Sequence, residues 1–98
     1  GQQVIVDMGV LLGRKPSAEV PAGAKSVKLE DPTRTISRNH AAISFDQDGT
    51  LWIEDYGSLN GTYIIQDDVE TKVEHKPMQL EAPCTVRIGD QFFQFRKQ

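Results

Sequence analysis

The run AAISFDQDGTLWIE, Ala41 to Glu54, decides the fold class. Ala41, Ile43 and Phe45 fall on one face of an extended chain, and Ala42, Ser44 and Asp46 on the other, because side chains alternate along a strand. Asp48-Gly49 is a strong hairpin signal, since such turns need positive φ. Past it, Leu51 and Ile53 alternate with Trp52 and Glu54. The segment predicts two strands with one buried face.

The same grammar extends outward. Val4-Ile5-Val6 sits within Gln3 to Asp7, and Val10-Leu11-Leu12 stops at Gly13. Val27 and Leu29 alternate with Lys28 and Glu30, as on a half-buried strand. Asp55 to Gly61 is a loop rich in Gly, Ser and Asn, and Tyr63-Ile64-Ile65 opens another strand. Val86 and Ile88 run into Gly89-Asp90, a second hairpin turn, beyond which Phe93 and Phe95 point one way and Phe92 the other. Strand patterns punctuated by turns every eight to twelve residues or so predict an all-β sandwich or barrel. No segment holds a 3.6-residue apolar period. Lys15 to Ser26, rich in Pro, Gly and Ala, reads as an irregular connection. Gln66 to Glu74 reads as an exposed loop or edge hairpin, and His75 as a surface residue.

Ninety-eight residues predict one domain, 1–98, long enough for a modest core without staples. The chain opens on Gly1 rather than Met, as expected of a processed chain or a piece of a larger protein. A net charge of −3 argues against nucleic acid as a partner, because such domains carry a basic surface. No apolar run is long enough to span a bilayer and no signal peptide is visible, so no direct membrane contact is expected. The expected location is the cytoplasm, or the cytoplasmic part of a larger protein. The single Cys84 excludes an internal disulfide and a multi-cysteine zinc site, and suits a reducing compartment. No metal or cofactor is expected.

Three short segments carry chemistry: Gly13-Arg14, Ser37-Arg38-Asn39-His40, and Gly57-Ser58-Leu59-Asn60-Gly61-Thr62. Loops at one end of a sandwich cluster, so the three are expected to converge. Together they suit a phosphate monoester, which carries nearly two charges and three acceptor oxygens. Arginine donates two parallel bonds to such a group, and glycine lets backbone amides approach closely. Ser37, His40 and Asp55 are the residue types of a hydrolytic triad, but Ser37 lacks a nucleophile-elbow context and two arginines beside it suit an anion. The chain is therefore not expected to be an enzyme.

In order along nearly the whole chain, Gly13-Arg14, Ser37-Arg38-Asn39-His40, Asn60-Gly61 and Ile88-Gly89-Asp90 resemble the motifs of a forkhead-associated (FHA) domain. The preceding Asp55-Tyr56-Gly57-Ser58 also fits. The resemblance implies a two-sheet β-sandwich with ligand loops at one end. It implies a module that binds phosphothreonine on a partner, or on its own parent protein, in Ser/Thr kinase signalling. It also implies roles. Arg14 and Ser37 contact the phosphate, Arg38 adds charge or an amide, and the Leu59 N–H reaches the phosphate. Asn60 holds the peptide backbone, Ser58 supports its loop, and Gly13, Gly57 and Gly61 shape the site. His40 is bonded inside the sandwich, holding the Ser37 and Asn60 loops together. The alternative is an FHA-type scaffold that binds a partner without phosphate.

Two departures stand out. Gln2 to Val10 resembles the family's second strand, so the first is absent or its role is filled otherwise. An edge left open in this way invites dimerisation. The connection from Arg14 to Ser37 is long, and its Arg34 and Thr35 lie where family members tune selectivity, with no preference carried over. Several segments look similar to FHA stretches of bacterial, especially actinobacterial, proteins.

Overall fold

The computed structural model describes residues 2–74 and 76–97, so His75 lies outside the described residues. Ten strands follow in chain order: β1 (Gln2–Val6), β2 (Gly9–Gly13), β3 (Ala24–Lys28), β4 (Ala41–Phe45), β5 (Leu51–Asp55), β6 (Thr62–Gln66), β7 (Val69–Lys72), β8 (Met78–Leu80), β9 (Cys84–Ile88) and β10 (Gln91–Lys97). They form two five-stranded sheets, ordered β1-β10-β9-β6-β7 and β3-β2-β4-β5-β8. No helix occurs among the described residues.

Alternation explains the core. Leu12, Ile43 and Ile53 of one sheet share a buried cluster with Val86, Ile88, Phe93 and Phe95 of the other. Phe92, one residue out of phase, is 50% exposed. Cys84 belongs to the same cluster, and burial pushes its thiol up to about 11.

Most pairings are antiparallel, with two exceptions. β1 runs parallel to β10, pairing Gln2 with Phe93 and Val6 with Lys97. β2 runs parallel to β3, pairing Gly9 with Ala24. Gln2 to Val10 is thus broken at Asp7-Met8 into strands of different sheets, and β1 forms an edge.

Two expectations need adjusting. The strand placed at Val27 to Glu30 begins and ends earlier, at Ala24–Lys28, inside part of the segment read as irregular. Leu29 has left the strand but is buried, and its N–H donates to Gly13 O (2.8 Å). The Asp48-Gly49 signal marks a longer connection between β4 and β5, organised by Asp46. The Asp46 carboxylate accepts from the Asp48 and Thr50 amides and from the Trp52 indole, each at 2.9 Å. β8 has no sequence counterpart above; three residues are too few to show a period. As expected of an edge hairpin, Gln66 to Glu74 holds the β6–β7 turn and the edge strand β7, and turn residues Asp67 and Asp68 both have positive φ (51° and 65°). That is the geometry of a two-residue hairpin loop matching strand twist.

Candidate functional site

β2 delivers Arg14 to the loop end of the sandwich through backbone pairing that outlasts the strand. His40 N–H donates to Leu12 O (2.8 Å), Arg14 N–H to Ser37 O (3.0 Å) and Lys15 N–H to Arg38 O (3.4 Å). This approach is close enough that only glycine fits at position 13. A Cβ there would lie 1.8 Å from Arg38 O. Gly13→Ala is expected to destabilise the fold by about 1–3 kcal/mol, the ordinary cost of overpacking, because the obstacle is backbone. Thermal melts check this, and an unchanged midpoint would mean that the two segments separate without cost.

The next layer is the loop from Asp31 to Ile36. The Asp31 carboxylate accepts from the amides of Thr35 (2.9 Å) and Ile36 (3.0 Å), and Ile36 is buried beneath. Between them Arg34 has φ of 57°, unusual for a residue with a long side chain. Thr35 joins three loops. Its carbonyl accepts from Asn60 Nδ2 (2.8 Å), and its hydroxyl accepts from the Asp90 amide (2.8 Å). A Cβ on Gly89 would sit 2.6 Å from the Thr35 carbonyl, so the β9–β10 turn packs directly on it. Gln91 Nε2 adds a bond to Thr33 Oγ1 (2.7 Å).

His40 is fully buried beneath these loops. Its Nδ1 accepts from the Ser37 amide (3.0 Å), so the ring proton must sit on Nε2, which donates to Gly61 O (2.8 Å). Gly61 O also accepts from the Gly89 amide (3.1 Å). Burial pushes the His40 pKa below its ordinary value, outweighing the Gly61 bond and the Asp55 charge. The unfolded chain therefore holds more protons below about pH 6.5, and stability falls as pH drops. Stability from urea unfolding is expected to be level above that pH and to decline towards pH 5; a flat profile would contradict the buried neutral ring.

Asp55 anchors the third loop. Its carboxylate accepts from Ser58 N–H (2.9 Å), Ser58 Oγ (2.6 Å) and Thr62 Oγ1 (2.7 Å), and lies 3.9 Å from His40 Nε2. Burial raises its pKa, but these bonds outweigh burial and hold it below the usual carboxylate range. Ser58 Oγ in turn accepts from the Gly61 amide (3.0 Å). Gly57 and Gly61 take positive φ (71° and 85°), which closes the loop.

These loops enclose an open cleft of about 580 Å³, lined by Arg14, Asp31, Arg34, Ser37, Leu59 and Asn60 among others. Its only carboxylate among the described residues, Asp31, is bonded to backbone amides, leaving two guanidinium groups to set the charge. Arg14 Nε donates to Ile36 O (3.3 Å), so the two terminal nitrogens remain available to a ligand. Ser37 Oγ accepts from the Leu59 amide (3.2 Å), and its hydroxyl proton remains free to donate.

A model of the FHA domain family matches residues 10–89 of this chain. The chain belongs to the FHA family.

Solved FHA domains share its architecture. The FHA domain of the CT664 protein from Chlamydia trachomatis is 28% identical, with a TM-score of 0.62 over 86% of this chain and 71% of that one. Rv1747 FHA-1 from Mycobacterium tuberculosis is also 28% identical, with a TM-score of 0.52 over 83% and 66%. The MEK1 FHA domain in complex with a HOP1 phosphothreonine peptide is 25% identical, with a TM-score of 0.53 over 84% and 74%.

In this FHA domain, Arg14, Ser37, Leu59 and Asn60 meet at the cleft, as do Arg34 and Thr35. Arg38 is exposed and lies outside the lining; its carbonyl is turned back onto Lys15 N–H. Ser58 also lies outside the lining, since its N–H and hydroxyl both face Asp55. The Leu59 amide, assigned by resemblance to the phosphate, is bonded to Ser37 Oγ. His40 bridges the Ser37 and Gly61 backbones from inside. Both its ring nitrogens are occupied by backbone, so Ser37, His40 and Asp55 do not line up as nucleophile, base and orienter.

The anchoring by Asp55 and the cap by Asp31 go beyond the sequence-based expectations. An Asp three residues before a Ser, and an Asp-Pro opening a Thr-rich loop, were the available signals. Thr35 as a joint had none, because its partners are 25 and 55 residues away.

Proposed function

We propose that this FHA domain reads phosphothreonine on a partner protein, or on its own parent protein, within cytoplasmic Ser/Thr kinase signalling. The observation that carries the reading is the cleft itself. Two arginines and a hydroxyl share one opening, and backbone amides occupy the one carboxylate beside them. Arg14 supplies the planar fork and Ser37 the hydroxyl, while the Leu59 amide orients the Ser37 oxygen. Asn60 is held by Thr35 O through its nitrogen, which leaves its carbonyl oxygen free to accept a peptide N–H. Ser58, Gly57, Gly61 and His40 keep this loop in shape, and Arg38 contributes only long-range charge. The MEK1 relative, solved with a phosphothreonine peptide, supports the same use of the fold.

The test is titration against a degenerate phosphothreonine peptide library, with matched phosphoserine and unphosphorylated peptides. Binding should require phosphate, prefer threonine, and weaken with salt because it is charge-assisted. Equal binding of phosphorylated and unphosphorylated peptide would replace this reading with the phosphate-independent scaffold.

A further inference from the structure

The connection between β2 and β3 is fastened rather than slack. Ser17 N–H donates to Asn39 Oδ1 (2.9 Å), Ser26 Oγ donates to Ser17 O, and Ala24 N–H donates to Pro21 O (3.1 Å). Held in this way, Glu19, Val20 and Pro21 wall a groove of about 550 Å³ over β2 and β4. Gly9, Leu11, Ala42 and Ser44 lie along its floor. They face away from the core, because Val10, Leu12, Ala41 and Ile43, which alternate with them, are buried inside. Three of the four floor residues are small, which leaves the sheet open there.

The groove runs lengthwise along the strands. β2 and β5 both pair antiparallel with β4, so Met8, before β2, and Tyr56, after β5, stand at opposite ends. Both line the groove, and they are 37% and 53% exposed. Exposed apolar surface rimmed by polar groups is the mark of an interaction site. Its charge is opposite to that of the phosphate cleft. No lysine or arginine lines it, and Glu19 is its one acid. Glu54 stands at its border, paired across the sheet with Ala42. Among the described residues, neither carboxylate has a hydrogen bond or an ion pair. Lys25, next to Ala24 of the lining, is spent on Asp7 (2.8 Å).

We propose that this groove is a second docking surface, which takes an extended, unphosphorylated segment of a partner protein carrying an apolar side chain beside a lysine or arginine. The apolar side chain covers Leu11 and Ala42 on the floor. The cation lays its stem along the same surface and reaches Glu19 or Glu54 with its charged head. An acidic segment meets two unpaired carboxylates and is turned away. The surface uses no residue of the phosphate cleft, so it stands apart from the phosphothreonine reading.

The experiment follows the backbone amide signals of the isotope-labelled 98-residue chain by NMR. It is titrated with short unphosphorylated peptide pools, degenerate except for a central Leu-Lys, Leu-Glu or Ser-Lys pair. The Leu-Lys pool should move the Leu11, Ala42 and Ser44 amides saturably. It should bind about two- to fivefold more tightly than the Leu-Glu pool, the range of a solvent-exposed ion pair, and salt should shrink that difference. The Ser-Lys pool, without the apolar side chain, should bind more weakly. Glu19→Lys should reverse the order of the Leu-Lys and Leu-Glu pools, and Ser44→Arg should fill the floor and remove binding. Both positions are exposed, so the variants fold, which thermal melts verify. Groove amides that no pool moves, or Leu-Lys and Leu-Glu pools that act alike, overturn the proposal. So does a preference for Leu-Lys that survives unchanged in Glu19→Lys. Groove shifts that grow with protein concentration alone mean that a second copy covers this face, and overturn it as well.

Discussion

Arg14→Ala is expected to weaken phosphopeptide binding by about 2–5 kcal/mol, the cost of truncating one partner of a hydrogen-bonded charge pair. The size follows from what remains. Without Arg14, the cleft keeps one guanidinium, Arg34, on an exposed loop, and its charge is more heavily screened. The Ser37 hydroxyl is a neutral donor and replaces little of a forked cation. The fold should survive, because Arg14 is exposed and its side chain makes a single long bond to Ile36 O. Calorimetric titration of a binding phosphopeptide, with a thermal melt of the variant, separates the two effects. A folded variant that binds unchanged would remove Arg14 from the site.

Asp55→Ala is expected to destabilise the fold by about 3–5 kcal/mol, because it strands buried donors rather than removing an isolated contact. Ser58 N–H, Ser58 Oγ and Thr62 Oγ1 all lose their acceptor, and Thr62 is fully buried where no water replaces it. Asp55→Asn keeps one oxygen and should lose less. Urea unfolding of both variants gives the order. An alanine variant as stable as wild type would show that these donors find other partners. The damage should reach the ligand, since Ser58 Oγ also fixes the Gly61 amide beside Asn60. The wild-type carboxylate, with its lowered pKa, stabilises the fold above pH 4 and ceases to do so as acid protonates it.

The legible and illegible parts of this molecule differ in range. Period-2 alternation is a local signal, so the shared face of Ile43 with Ala41 and of Phe93 with Phe95 is legible from near neighbours alone; the structure buries Ile43, Ile53, Val86, Phe93 and Phe95. Residue types with one dominant chemistry were also legible: the structure brings Arg14, Ser37 and Asn60 to one cleft. Arg38 and Ser58 were harder to place, because a residue beside a ligand loop can face inward or outward and only its backbone partners decide. Ser58 follows Asp55, and Arg38 follows the pairing of Lys15 with its carbonyl. The short β8 and the parallel pairing of β3 depend on distant strands and leave no local trace.

The parallel pairing of β1 with β10 has a consequence for how the protein is made. Gln2 finds its partner in Phe93, so β1, once made, must wait until β10 has been made before it can pair. At about 5–20 residues per second, that wait is roughly 5–18 s for a separation near 90 residues. During it, Gln2 to Val6 is an uncharged segment with three β-branched residues in a row and no proline, the composition that pairs indiscriminately with other chains. Nascent chains should therefore be most dependent on holding chaperones during translation, and the dependence should end when β10 emerges and closes the sheet.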